Sequence, residues 1–205
     1  MPNFSNNVLW ILVLVTILIF ALICLIARVI RDKMLDKILD LLNNRHFAEF
    51  DDFMERKTVK LFFDPFNIDY IKLNSYFLRN DDKKIDEIFR RLDEVRISSH
   101  QRDEVELEAF NYYLSKNNIE RIDHYYNKIQ SSKSNKLKKQ IDRLYSIYVK
   151  KEAKYLNELI EETNKMDDKY KSANELLIAA IYGNIGNKKE QKTYERLAEF
   201  HLRRS

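Results

Sequence analysis

A chain of 205 residues with one Cys, two Gly and two Pro cannot be a disulfide-stapled secreted domain and lacks the turn residues that a sheet consumes. Its 36 basic and 32 acidic residues leave a net charge of +4, a balanced surface rather than the one-sided basic footprint of a nucleic-acid binder. Charged residues make up 33% of the chain and good helix formers abound, so long helices joined by short polar loops are expected. Lys outnumbers Arg by 22 to 14 and Asn reaches 18, a usage that leans towards a bacterial genome rich in A and T.

The first element is apolar. Residues 8–27 carry no charge, and Thr16 is their one hydroxyl residue. A helix of that length spans about 30 Å, the thickness of the hydrocarbon core of a bilayer. Trp10 stands near one end, where an indole favours the interface, and Arg28 and Arg31 close the other. The seven residues before it have no basic side chain and no small-residue cleavage pattern follows, so an uncleaved anchor is expected rather than a signal peptide. The expected division is an extracytoplasmic N-terminus over residues 1–7, a transmembrane helix over 8–30, and a helical domain over 31–205. Arg28, Arg31, Lys33 and Lys37 lie on one flank of the span and no basic residue on the other. That asymmetry predicts the N-terminus outside and the domain in the cytoplasm of a single-pass cell-membrane protein.

The rest of the chain repeats. Leu42, Phe77, Tyr113, Tyr148 and Tyr182 each close an apolar-periodic helix, at steps of 35, 36, 35 and 34 read directly from their numbers. A polar turn follows each, and then a second amphipathic helix. That second helix is marked by Phe50 and Met54, Ile85 and Phe89, Ile122 and Tyr126, Leu156 and Ile160, and finally Tyr194 and Leu197. Pairs four apart, or three as in the last, share one helix face. Each unit is therefore helix A, turn, helix B, and units that cannot bury a face alone must stack. Asp81-Asp82 and Asn117-Asn118 supply turn and N-cap residues, Asp64-Pro65 ends the first unit, residues 131–134 separate the third from the fourth, and Asp167-Asp168 precedes the fifth.

Two helices in a period near 34 resemble the tetratricopeptide repeat. In the fifth unit Ile178, Ala179, Tyr182 and Gly186 match that family in type and spacing, while Asn74, Phe110 and Tyr145 take its small position in units two to four. The resemblance implies an α-solenoid of about five helix pairs, which with the transmembrane helix before it makes an all-α protein. It further implies a concave face, lined by helix A, that binds a protein or peptide. On that reading Arg79, Asn111, Lys150 and Asn184 are the partner-binding residues.

Catalytic chemistry is not expected. His46, His100, His124 and His201 fall in different units at no metal spacing, the single Cys24 lies in the apolar segment, and Gly183 and Gly186 cannot build a phosphate loop. No cofactor, metal or nucleic acid is expected. Lys133, Lys136, Lys138 and Lys139 form a small basic cluster, read as a solvated loop or as a contact for anionic lipid. The function that follows is a membrane-anchored interaction module, a scaffold or adaptor binding a protein or peptide at the cytoplasmic face of the membrane. The alternative is a subunit of a membrane enzyme or envelope-assembly complex.

Overall fold

The structure, a computed structural model, describes residues 6–204, with side chains from Trp10 onward. Helix makes up 82% of it and the described residues form no strand. The helices are α1 (Asn6–Asn43), α2 (Phe47–Met54), α3 (Lys57–Phe62), α4 (Pro65–Arg79), α5 (Asp82–Glu94), α6 (Ser99–Ser115), α7 (Ile119–Gln130), α8 (Asn135–Tyr148), α9 (Leu156–Asn164), α10 (Lys171–Asn184) and α11 (Lys188–Leu202), with a 3₁₀ turn at Asp168–Tyr170. They divide into two compact units, residues 1–96 and 97–205.

In the first unit α1 is long and apolar enough near the N-terminus to cross a membrane. It does not stop where the charges begin. Helix propensity depends little on polarity, so the run of Arg, Lys, Asp and Leu after Ala27 continues the same helix to Asn43. The sequence boundary at residue 30 therefore falls inside one helix. Ile38 and Leu41 at its far end are buried with Phe50, Phe53, Met54, Val59 and Phe63. Burial of side chains this large stabilises by about 1.5–3 kcal/mol each. The short α3, not foreseen from the sequence, lies between α2 and Asp64-Pro65. Asp64 caps α4, its carboxylate accepting from the Phe66 N–H at 2.7 Å, with Pro65 at the first helical position. On α5 the positions Ile85, Ile88, Phe89 and Leu92 are all buried, the i, i+3, i+4, i+7 stripe of an amphipathic helix.

In the second unit α6 opens on a capping box between Ser98 and Gln101. Tyr113 of α6 stacks on Tyr125 of α7, their centroids 5.7 Å apart. Helices α7 and α8 are tied reciprocally. Tyr126 donates to Asp142 at 2.9 Å, Tyr145 donates to Asp123 at 2.7 Å, and the two rings stack at 4.0 Å. Burial, then the bond to Asp142, pushes the Tyr126 hydroxyl up to about 12. Ile147, Leu159, Ile178 and Ile181 form a core shared by α8, α9 and α10, and α11 packs along α10.

One turn recurs through both units. Residues Arg45, Asn80, Asn117, Lys151 and Gly186 all have positive φ, between 52° and 77°, at steps of 35, 37, 34 and 35 along the chain. At four of them the next residue's N–H reaches back to the carbonyl five before it: His46 to Leu41, Asp81 to Tyr76, Asn118 to Tyr113, and Asn187 to Tyr182. This is the Schellman closure, which satisfies carbonyls orphaned at a helix end. Three of those next residues, Asp81, Asn118 and Asn187, then cap the following helix with their side chains. The fourth helix end differs. Between α8 and α9 the left-handed residue is Lys151, and seven residues, 149–155, make the link.

Candidate functional site

A cleft of about 500 Å³ lies in the second unit among α8, α9 and α10. Its α8 wall is built by helical spacing: Lys136, Lys139 and Gln140, then Arg143 and Leu144, at i, i+3, i+4, i+7 and i+8. Glu162 of α9 faces that wall, and Ala173 and Leu177 of α10 add apolar surface.

Arg143 is the centre of its electrostatics. The guanidinium is 14% exposed, donates to Glu162 at 2.8 and 2.9 Å and to Glu158 at 2.9 Å, and so bridges α8 to α9. Its Nε is buried without a hydrogen-bond partner. The bonds to Glu162 first, and the charges of Glu162 and Glu158, raise its pKa above the ordinary arginine value against the cost of burial. Lys139 pairs with Glu158 at 2.6 Å, and this hydrogen bond holds the Glu158 carboxyl below its usual range. Lys136 has no ion pair among the described residues. The arrangement is a cationic rim over an apolar floor, with carboxylates holding Arg143 in place. It can accept an apolar side chain and meet a carboxylate beside it.

The four residues expected to bind a partner are distributed differently. Arg79 lies in the first unit. It is 17% exposed, donates twice to Asp51 at 2.8 and 2.7 Å and once to the buried Ser75 hydroxyl at 2.8 Å, and lies over the rings of Phe47 and Tyr76. It is a clamp between α4 and α2. Asn184, in the second unit, donates to the Ile147 carbonyl at 2.8 Å, satisfying an orphan carbonyl in the last turn of α8. Lys150, just beyond α8, is exposed and lies over the Tyr145 ring. Asn111 is exposed on α6.

Sequence reasoning stopped short of Arg143, although Lys136 and Lys139 were already in its basic cluster and the i+7 step leads to it. His201, which shows no metal spacing in the sequence, is a second such residue. That histidine is buried, its Nδ1 2.8 Å from a Glu175 carboxylate oxygen that is buried in turn. The Tyr194, Ala198, His201 spacing follows the inner face of α11 and carries the signal. Thr163, Lys171 and Tyr194 join these two around a smaller cavity of about 210 Å³. No group of three or more His, Cys, Asp or Glu among the described residues could hold a metal ion. No known protein family, curated protein or solved structure matches this chain.

Proposed function

We propose that this protein is a membrane-anchored interaction module whose second unit captures a protein or peptide partner in the α8–α9–α10 cleft. Helix α1 crosses the bilayer with its N-terminus outside, and the helices that follow stand in the cytoplasm, an orientation favoured by the basic flank after the span. Helix pairs closed by the recurring left-handed turn stack in the manner of tetratricopeptide-like repeats. The recurrence of that turn at steps of 34 to 37 residues supports this arrangement. The cleft itself carries the functional reading, since apolar walls beneath Lys136, Lys139 and Arg143 suit a segment bearing both an apolar and an acidic side chain. Asn111 and Lys150, both exposed, supply further polar contacts outside it. Confinement to a membrane raises the effective concentration of the module towards partners on the same surface.

The test is affinity isolation of the full-length chain from its native membrane, followed by identification of co-purifying proteins. The Lys136→Glu, Lys139→Glu double variant should lose a specific partner that wild type retains, with its helical circular dichroism unchanged. Equal recovery of every co-purifying protein by the two chains would reject the cleft as the recognition surface.

A further inference from the structure

We propose that α3, together with the basic collar of α1, docks on anionic lipid headgroups of the bilayer that α1 crosses. The proposal rests on the reading of α1 as a membrane span. The placement follows from topology within the first unit. Helices α1 and α2 pack together and are joined by residues 44–46 alone, a link short enough to turn α2 back against α1. The eight residues of α2 climb about 12 Å back along α1. Helix α3 begins three residues after Met54 and contacts α1, and Met34 and Leu35 of α1 pack against the same core as Val59 and Phe62, which puts α3 near that level of α1.

The surface of α3 suits that position. Val59 is buried and Phe62 partly buried, which fixes the helix on the core. Leu61 is left 78% exposed, and Arg56, Lys57 and Lys60 surround it in sequence without an acidic residue from 56 to 63. Lys60 pairs with Glu55 at 2.6 Å, while Lys57 has no ion pair among the described residues. Along α1, Arg28, Arg31, Lys33 and Lys37 alternate with Asp32, Asp36 and Asp40, four cations against three carboxylates for a net charge of +1. Arg28 pairs with Asp32 at 3.9 Å and Lys37 with Asp40 at 3.7 Å, which leaves Arg31 and Lys33 nearest the span. An apolar side chain ringed by cations is the composition of an interfacial helix.

The distances agree. Between Ala27 and Leu35 the helix rises about 12 Å, and headgroups fill about 5–8 Å of that beyond the hydrocarbon core. Flexible lysine stems and an ordinary helix tilt of about 20° cover the remainder. The cations of α3 thus fall within about one Debye length, 8 Å, of an anionic surface.

The experiment uses the full-length chain in nanodiscs of phosphatidylcholine, with or without phosphatidylglycerol, and in detergent. Labelling of Cys24 by a membrane-impermeant maleimide reports the anchor; reaction of Cys24 in discs would overturn the membrane-span reading itself. In a Cys24→Ala, Leu61→Cys chain, position 61 should label several-fold more slowly in discs containing phosphatidylglycerol than in detergent. Adding Arg56→Gln and Lys57→Gln should restore the rate. With Cys24 protected, equal labelling of position 61 in both disc types overturns the docking of α3 on anionic headgroups while leaving the anchor standing.

Discussion

Arg79 and Arg143 are the same residue in two regions with different surroundings. Each is tied to carboxylates of another helix, Arg79 to Asp51 and Arg143 to Glu158 and Glu162. Arg79 is closed over by the Phe47 and Tyr76 rings and holds the first unit together. Arg143 is as well covered, 14% exposed and over the Tyr155 ring, but it also lines a largely apolar cleft in the second. Whether an arginine is only a strut or also part of a site is decided by whether a cleft opens beside it, and a charge pattern alone does not carry that information.

The comparison breaks if Arg79 can be removed without harm. Arg79→Ala leaves Asp51 and the Ser75 hydroxyl without their partner and empties the space between two rings. It should cost about 2 kcal/mol, or roughly 4–8 °C in the melting temperature of the detergent-solubilised chain. An unchanged melting temperature would return Arg79 to the class of exposed contact residues.

Gly186→Ala separates stability from recognition within the second unit. Its φ of 77° is left-handed and no atom lies within 4 Å of where a Cβ would stand. The loss is therefore conformational alone, about 1–2 kcal/mol, read in the same melt, and partner capture should persist. A loss of capture below the melting transition would tie the cleft to this distant turn.

Arg143→Ala should do the reverse. Its carboxylate partners are 37% and 39% exposed, as open as Asp51 at 39%, so screening limits the ion-pair part of either loss to about 1 kcal/mol, and the extra cost at Arg79 comes from the Ser75 hydroxyl and the two rings that it leaves. Partner affinity should fall by about tenfold or more, the usual effect of removing a central arginine contact. Destabilisation larger than that of Arg79→Ala would invert the comparison.

The smallest effect concerns acid. Hydrogen bonds from Lys60 first, then Lys72, lower the Glu55 carboxyl from 4.5 to about 2. A depressed carboxylate stabilises above its unfolded value and loses that contribution as pH falls through the folded one. The advantage of wild type over Glu55→Gln should accordingly be present above pH 4.5 and fade towards pH 2. Because Glu55 is largely exposed, high salt should shrink it throughout.

Much of the fold was legible because its signals are local. Asn80-Asp81, Asn117-Asn118 and Gly186-Asn187 announce a left-handed residue followed by an N-cap, and the structure ends and restarts helices there. Arg45 and Lys151 adopt the same conformation without a telling side chain. The six residues of α3 are too few to show a period, and the end of the apolar run hid the continuity of α1. The Arg79–Asp51 tie was illegible because its partner is 28 residues away, on a different helix. Arg143 was within reach of helical spacing on α8, but the Glu162, Ala173 and Leu177 side chains that complete the cleft come from α9 and α10, and spacing along one helix does not show which other helices face it.

The most direct measurement places a photoreactive amino acid at Leu177, inside the cleft, or at Leu78, exposed in the first unit, in the full-length chain in its native membrane. The account predicts one discrete crosslinked partner from position 177, lost with Lys136→Glu and Lys139→Glu, and none from position 78. The same adduct from position 78, or an adduct from 177 that is indifferent to those lysines, would contradict it.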